Sequence, residues 1–150
     1  MSKPGYPIWW DSTVTIYNKY TDTSTRVTSW YKTVVTDCYW HLTGSEITVG
    51  QTVLDGKSII CRIPKDSRYL DRSEWVKLTD TEKKDHFTIG HGDIIVLGEC
   101  SFVIDEYTAG SRSTDLLSKY TEYEQCLEVN EFADNTGIGR NNEHYKVRGK

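Results

Sequence analysis

The sequence predicts a mainly β fold: a small β-barrel or sandwich carrying one short helix and long loops. Three observations predict it. Apolar and polar residues alternate over several short runs, the pattern of half-buried strands. Thr, Tyr, Trp, Val and Ile are abundant, with ten Tyr and five Trp against three Phe, and these residues suit a pleated surface with one face buried. Clusters of Gly, Asp, Asn and Ser separate the runs at the spacing of an all-β architecture.

Taken in order, residues 1–12 read as an N-terminal arm and residues 13–150 as one domain with one core. Pro4, Gly5 and Pro7 keep the arm out of a ladder interior. Trp9 and Trp10 follow, and rings of that size pack either on this domain or on a neighbouring subunit. Thr13 to Asn18 alternates as a strand, with Val14 and Ile16 on one face, and residues 21–24 form a turn. Thr25 to Val35 reads as a long strand. Asp37 marks a break or bulge, and Cys38, Trp40 and Leu42 continue as a third strand. Glu46 to Leu54 is a further strand, turned at Asp55-Gly56 into a returning strand that Pro64 ends.

Residues 64–92 are polar and irregular, anchored by Tyr69, Leu70, Trp75, Val76 and Leu78. Within them, Thr79 to Asp85 reads as a charged, exposed stretch and His86 to Ile89 as a short strand. After the Gly90–Asp93 turn, Ile94 to Gly98 is continuously apolar, as in a strand buried on both faces. Phe102 to Ile104 extends the sheet. Thr114 caps a helix in which Leu116, Leu117 and Tyr120 share a face. Tyr123 to Phe132 and Glu143 to Val147 are the last strands, joined by a loop over 133–142. The total is eight or nine strands.

The composition bounds the function. With 37% hydrophobic and 27% charged residues, the chain is globular rather than disordered. A formal charge of −4 lacks the basic excess of a duplex-DNA reader. Cys38, Cys61, Cys100 and Cys126 contain no C-x-x-C pair and read as reduced core thiols. No apolar stretch reaches the length of a membrane span, and the N-terminus lacks the apolar core of a secretion signal. His86 and His91 lie five residues apart but lack a third ligand. Gly137-Ile138-Gly139-Arg140 does not open a helix and is not a phosphate loop. No catalytic, cofactor or metal residues are therefore assigned.

The order of runs resembles a family of neck proteins of tailed phages and prophages, of the minor capsid, head-completion or head-closure (stopper) type. The resemblance is carried by Val14-Thr15-Ile16-Tyr17-Asn18-Lys19-Tyr20, the Trp-bearing strands around Tyr31-Lys32 and Tyr39-Trp40, and Ser58-Ile59-Ile60-Cys61-Arg62-Ile63-Pro64. Gly92-Asp93-Ile94-Ile95-Val96-Leu97-Gly98 and the final His144-Tyr145-Lys146-Val147-Arg148-Gly149-Lys150 complete it. It implies a barrel-like virion protein that closes into a ring of roughly six or twelve copies in the neck. Its neighbours would be portal-adaptor and tail proteins, and packaged DNA would pass or be retained without sequence-specific contact. Residues 64–92 and 133–142 are the loops expected to reach neighbouring rings. The candidate interface residues are Trp9, Trp10, Arg68, Tyr69, Lys83, Lys84, Asn135, Ile138 and Arg140. A tail-terminator or tail-completion ring is the alternative within this class. A carbohydrate-binding β-sandwich is the alternative outside it.

Overall fold

In the computed structural model, the described residues are 6–43, 46–49, 52–55, 58–120, 125–137 and 143–149. They form, in chain order, β1 (Ser12–Thr21), β2 (Thr28–Thr43), β3 (Glu46–Val49), β4 (Thr52–Asp55), β5 (Ser58–Pro64), α1 (Arg72–Trp75), α2 (Asp80–Asp85), β6 (Ile94–Leu97), α3 (Ser113–Tyr120), β7 (Cys126–Asn135) and β8 (His144–Gly149). Six strands close an antiparallel barrel in the order β1-β2-β5-β8-β7-β6, with β6 returning to pair with β1. The fold is thus the barrel alternative of the expected mainly β class.

Two cores hold it. Val14, Ile16, Val35, Cys38, Ile59, Cys61, Ile63, Ile95, Leu127, Val129 and Val147 fill the barrel interior. A second cluster lies outside the wall, where α3 and the segment around residues 100–104 cover β1 and β6. It comprises Tyr17, Ile94, Val96, Cys100, Ile104, Leu116 and Cys126. The continuous apolar run at Ile94–Val96 follows from this arrangement. Ile95 points into the barrel, while Ile94 and Val96 point into the outer cluster, so a strand buried on both faces cannot alternate.

Several local expectations are corrected. The predicted strands on either side of Asp37 are one strand, β2, with a bulge. Its register against β1 shifts between Ser12 and Val14, and Asp37 has φ 61°. The extra residue switches parity, so Tyr31, Thr33 and Val35 are buried before it and Cys38 after it. Phe102 to Ile104 is irregular rather than a strand. His86 to Ile89 is no ladder strand: Phe87 makes an isolated bridge to Tyr69, and Phe87 and Ile89 plug the barrel. The irregular stretch also folds two helices beyond the one expected. At α2 the Thr79 hydroxyl accepts from Glu82 N at 3.3 Å, while Glu82 Oε1 accepts from Thr79 N at 3.2 Å. That reciprocal cap was legible as Thr-x-x-Glu. The expected 133–142 loop begins later, because β7 continues to Asn135, and residues 138–142 lie outside the described residues.

The largest correction concerns the hairpin. Residues 46–54 do not form one strand returning at Asp55-Gly56. Instead β3 pairs with β4 from Glu46↔Asp55 to Val49↔Thr52. Tyr39↔Arg62 through Thr43↔Ser58 join β2 and β5 in the same register. One long hairpin therefore runs from the barrel wall toward residues 50 and 51, which lie outside the described residues, as do 44–45 and 56–57. At about 3.3 Å per residue, β3 and β4, with four residues each, span roughly 13 Å.

Two expectations follow. A Cβ at Gly149 would collide with the Glu128 carbonyl across the β7–β8 seam, so Gly149→Ala should lower stability by about 1–3 kcal/mol in urea titration. All four cysteines are free and buried, and burial pushes the Cys61 and Cys126 thiols up to about 12. Ellman's reagent should therefore find them unreactive in native protein and reactive once denaturant unfolds the barrel.

Candidate functional site

The candidate site is a set of surfaces around a polar hub. At the hub, the fully buried Asp93 follows the Gly90–Gly92 turn, where Gly92 takes φ 90°. Its carboxylate accepts from Lys19 N at 2.9 Å, Asn18 Nδ2 at 2.9 Å and Gly90 N at 2.9 Å. Arg72 NH1 reaches both oxygens, at 3.2 and 3.0 Å, and NH2 donates to the Lys19 carbonyl. Asn18, also fully buried, donates to Thr88 O at 2.6 Å and accepts from Thr88 N at 3.2 Å. The hub thereby ties β1, the plug, the turn before β6 and α1 together. No residue of it was a sequence-level candidate. An Asp after a Gly-rich turn signals only a turn, and its partners come from distant positions.

Burial pushes the Asp93 carboxyl above its ordinary value, and Arg72 and the hydrogen bonds from Lys19 and Asn18 pull it back only in part.

Four of the expected interface residues are engaged within the chain. Trp10 is buried, 5.3 Å from the Tyr6 ring and edge-on to His144 at 5.5 Å. The Tyr6 hydroxyl donates to the Glu143 carbonyl, so the described part of the arm lies on its own barrel. Arg68 grips both oxygens of Asp66, at 3.0 and 2.8 Å, and donates to Val34 O at 3.3 Å. Tyr69 sits in an aromatic cluster, 4.1 Å from the Tyr145 ring, 5.8 Å from Phe87 and 6.1 Å from Phe132. Lys83 was expected on an exposed stretch but is 3% exposed. Its ammonium sits 4.2 Å from the Tyr20 ring and 5.5 Å from Trp75, and donates to the carbonyls of Val76 and Leu78. A long Lys stem can bury itself whenever carbonyls and ring faces receive its tip, and spacing does not announce this.

The other candidates differ. Trp9 is 65% exposed beside Ile8 at 80%. Lys84 is exposed and pairs with Asp80 at 3.4 Å. Asn135 ends β7 opposite His144. Ile138 and Arg140 lie outside the described residues. A second apolar patch, missed in the sequence, forms beyond the other end of β1. There Val27 and Tyr107 are exposed, and the Tyr107 hydroxyl accepts from Thr28 N at 2.9 Å. A cleft of about 480 Å³ opens nearby, lined by Tyr20, Asp22, Tyr31, Asp80 and Lys83. In it the Tyr31 hydroxyl donates to Asp80 at 2.7 Å, and burial pushes the Tyr31 phenol up to about 12.

Chemically, these arrangements position groups for contact. His86 bonds the Arg68 carbonyl through Nδ1 at 3.2 Å, and His91 is exposed on its turn. Among the described residues no three His, Cys, Asp or Glu groups converge as a metal site.

The hub generates a test. Asp93→Asn puts an amide NH2 where one carboxyl oxygen accepts from Asn18, Gly90 and Arg72, and should cost about 1–3 kcal/mol. The folded carboxyl titrates above the 3.8 of the free side chain. Its stability contribution is therefore full below pH 3.8 and declines as pH rises through the folded value. The gap between wild type and Asp93→Asn should be widest at the acid end of a series of urea midpoints and narrow above it.

No curated protein and no solved structure matches the chain. A family described as a family of unknown function, DUF6751, matches residues 9–150. That match spans nearly the whole sequence, and the chain belongs to this family.

Proposed function

We propose that the chain is a virion structural protein of the phage head–tail connector, a head-closure ring that retains packaged DNA and docks the tail. The observation that carries this reading is the long hairpin. The barrel is closed, and each of its six strands has a paired neighbour on both sides over part of its length. The β3–β4 extension forms its own two-stranded sheet, and among the described residues neither outer edge is paired. Such a ribbon is marginal alone in water and gains stability when edges of neighbouring copies pair. Around a ring, converging hairpins of this length would narrow a central channel by steric means.

The two apolar patches support ring closure. Ile8 and Trp9 precede β1, while Val27 and Tyr107 lie beyond its far end. A ten-residue strand sets them roughly 30 Å apart. Two different patches on one subunit are what a head-to-tail, closing interface uses. Protein cross-links to the portal-adaptor rather than to the tail tube distinguish a head-closure ring from a tail-terminator ring.

The test shortens the hairpin. Replacing residues 44–57 by Asn-Gly closes β2 onto β5 through a two-residue turn. The variant should melt within a few degrees of wild type and still give a ring by native mass spectrometry. Phage carrying it should fill heads and then lose the DNA. Stable, infectious, DNA-filled particles would overturn the reading.

A further inference from the structure

The formal charge of −4 is a sum over the chain, and the barrel sorts that charge by face. On the outer wall, Arg62 of β5 stands directly opposite Lys146 of β8, and Arg148 follows two residues along β8. Like charges directly opposite each other in a ladder are destabilising. Among the described residues none of the three makes an ion pair. Arg148 faces Glu131 across the β7–β8 ladder, yet no ion pair joins them, and the buried Arg148 Nε has no hydrogen-bond partner. Lys65 differs, being held by Glu143 at 3.2 Å. Tyr39 stands opposite Arg62, with its ring 5.2 Å from the guanidinium, and the His41 ring stacks on Tyr39 at 5.8 Å. Beside Lys146 and Arg148 lies a shallow hollow of about 120 Å³.

We propose that this β5–β8 wall, through Arg62, Lys146 and Arg148, binds the phosphate backbone of nucleic acid without reading bases. The ladder sets the backbone positions of these residues about 4.8 Å apart across strands and about 6.7 Å apart along β8. Three cations on a regular ladder, with Glu131 opposite Arg148 as the one facing carboxylate named here, suit a stiff, evenly charged polymer. A flexible acidic peptide would first have to be ordered, at a conformational cost. Arginine offers the forked geometry that phosphate oxygens accept, and the Tyr39 ring holds one such fork in place. The inference rests on the connector reading only in naming DNA as the polymer the wall would meet.

Fluorescence anisotropy of a short labelled duplex of random sequence, titrated with the full-length chain, provides the test. Three phosphate contacts predict a log–log salt slope of about −2.7 between about 50 and 200 mM salt. The triple variant Arg62→Gln, Lys146→Gln, Arg148→Gln should bind at least about tenfold more weakly at the lower salt. Lys146→Gln alone should reduce the slope by about 0.9, which guards against misfolding of the triple variant. Lys77→Gln with Lys84→Gln, on the helical segment, should bind as wild type does. No binding by the wild type, unchanged binding by the triple variant, or capture of a poly-glutamate peptide in place of DNA would overturn it. A monomeric native mass would sink the ring and leave this result standing. A failure to bind DNA would leave the ring standing.

Discussion

The Asp93 carboxylate collects donors from three separate stretches of chain, and the order of the barrel depends on that convergence. Lys19 N and Asn18 bring β1, Gly90 N brings the turn, and Arg72 brings α1. A carboxylate taken out of water is tolerated only when its lone pairs are met. Here they are met by groups that also fix the plug in place, because Asn18 holds the Thr88 backbone from both sides. Phe87 and Ile89 can then fill the barrel interior from a segment with no ladder of its own. The hub thus substitutes for sheet hydrogen bonds where the chain crosses the barrel end.

That crossing explains why the stretch between β5 and β6 looks like a loop yet behaves as core. Its polar residues cap α2 and clamp Asp66, the carbonyls of Val76 and Leu78 receive Lys83, and its large residues Trp75, Phe87 and Ile89 are buried. It is an internal brace rather than a projecting arm. The projecting element is the hairpin of β3 and β4, and with it the proposed function moves from the irregular segments to a regular one. Among the described residues β3 and β4 pair only with each other, whereas each barrel strand has a neighbour on both sides.

The wall is also asymmetric in character. Along β1 and β6 the outer face is apolar and covered by α3, whereas along β5 and β8 it carries the half-buried Arg62, Lys146 and Arg148. Sequence order hides this contrast. Arg62 and Lys146 are far apart in the chain and become neighbours only through the antiparallel register. Ile94, Ile95 and Val96 sit together in the chain but face opposite cores.

The sequence by itself determined the strand runs around Val14, Ile59 and Val147, the doubly buried run at Ile94–Val96, the helix at Leu116 and the irregularity at Asp37. Each is encoded by local periodicity or backbone preference, which neighbouring residues suffice to specify. Only the tertiary structure decided that β2 continues through Asp37, that β3 turns back on β4 rather than on β5, that Lys83 is buried, and that Asp93 is a hub. Strand pairing is non-local, and a residue's partners across a closed barrel follow from register and closure rather than from its own neighbourhood.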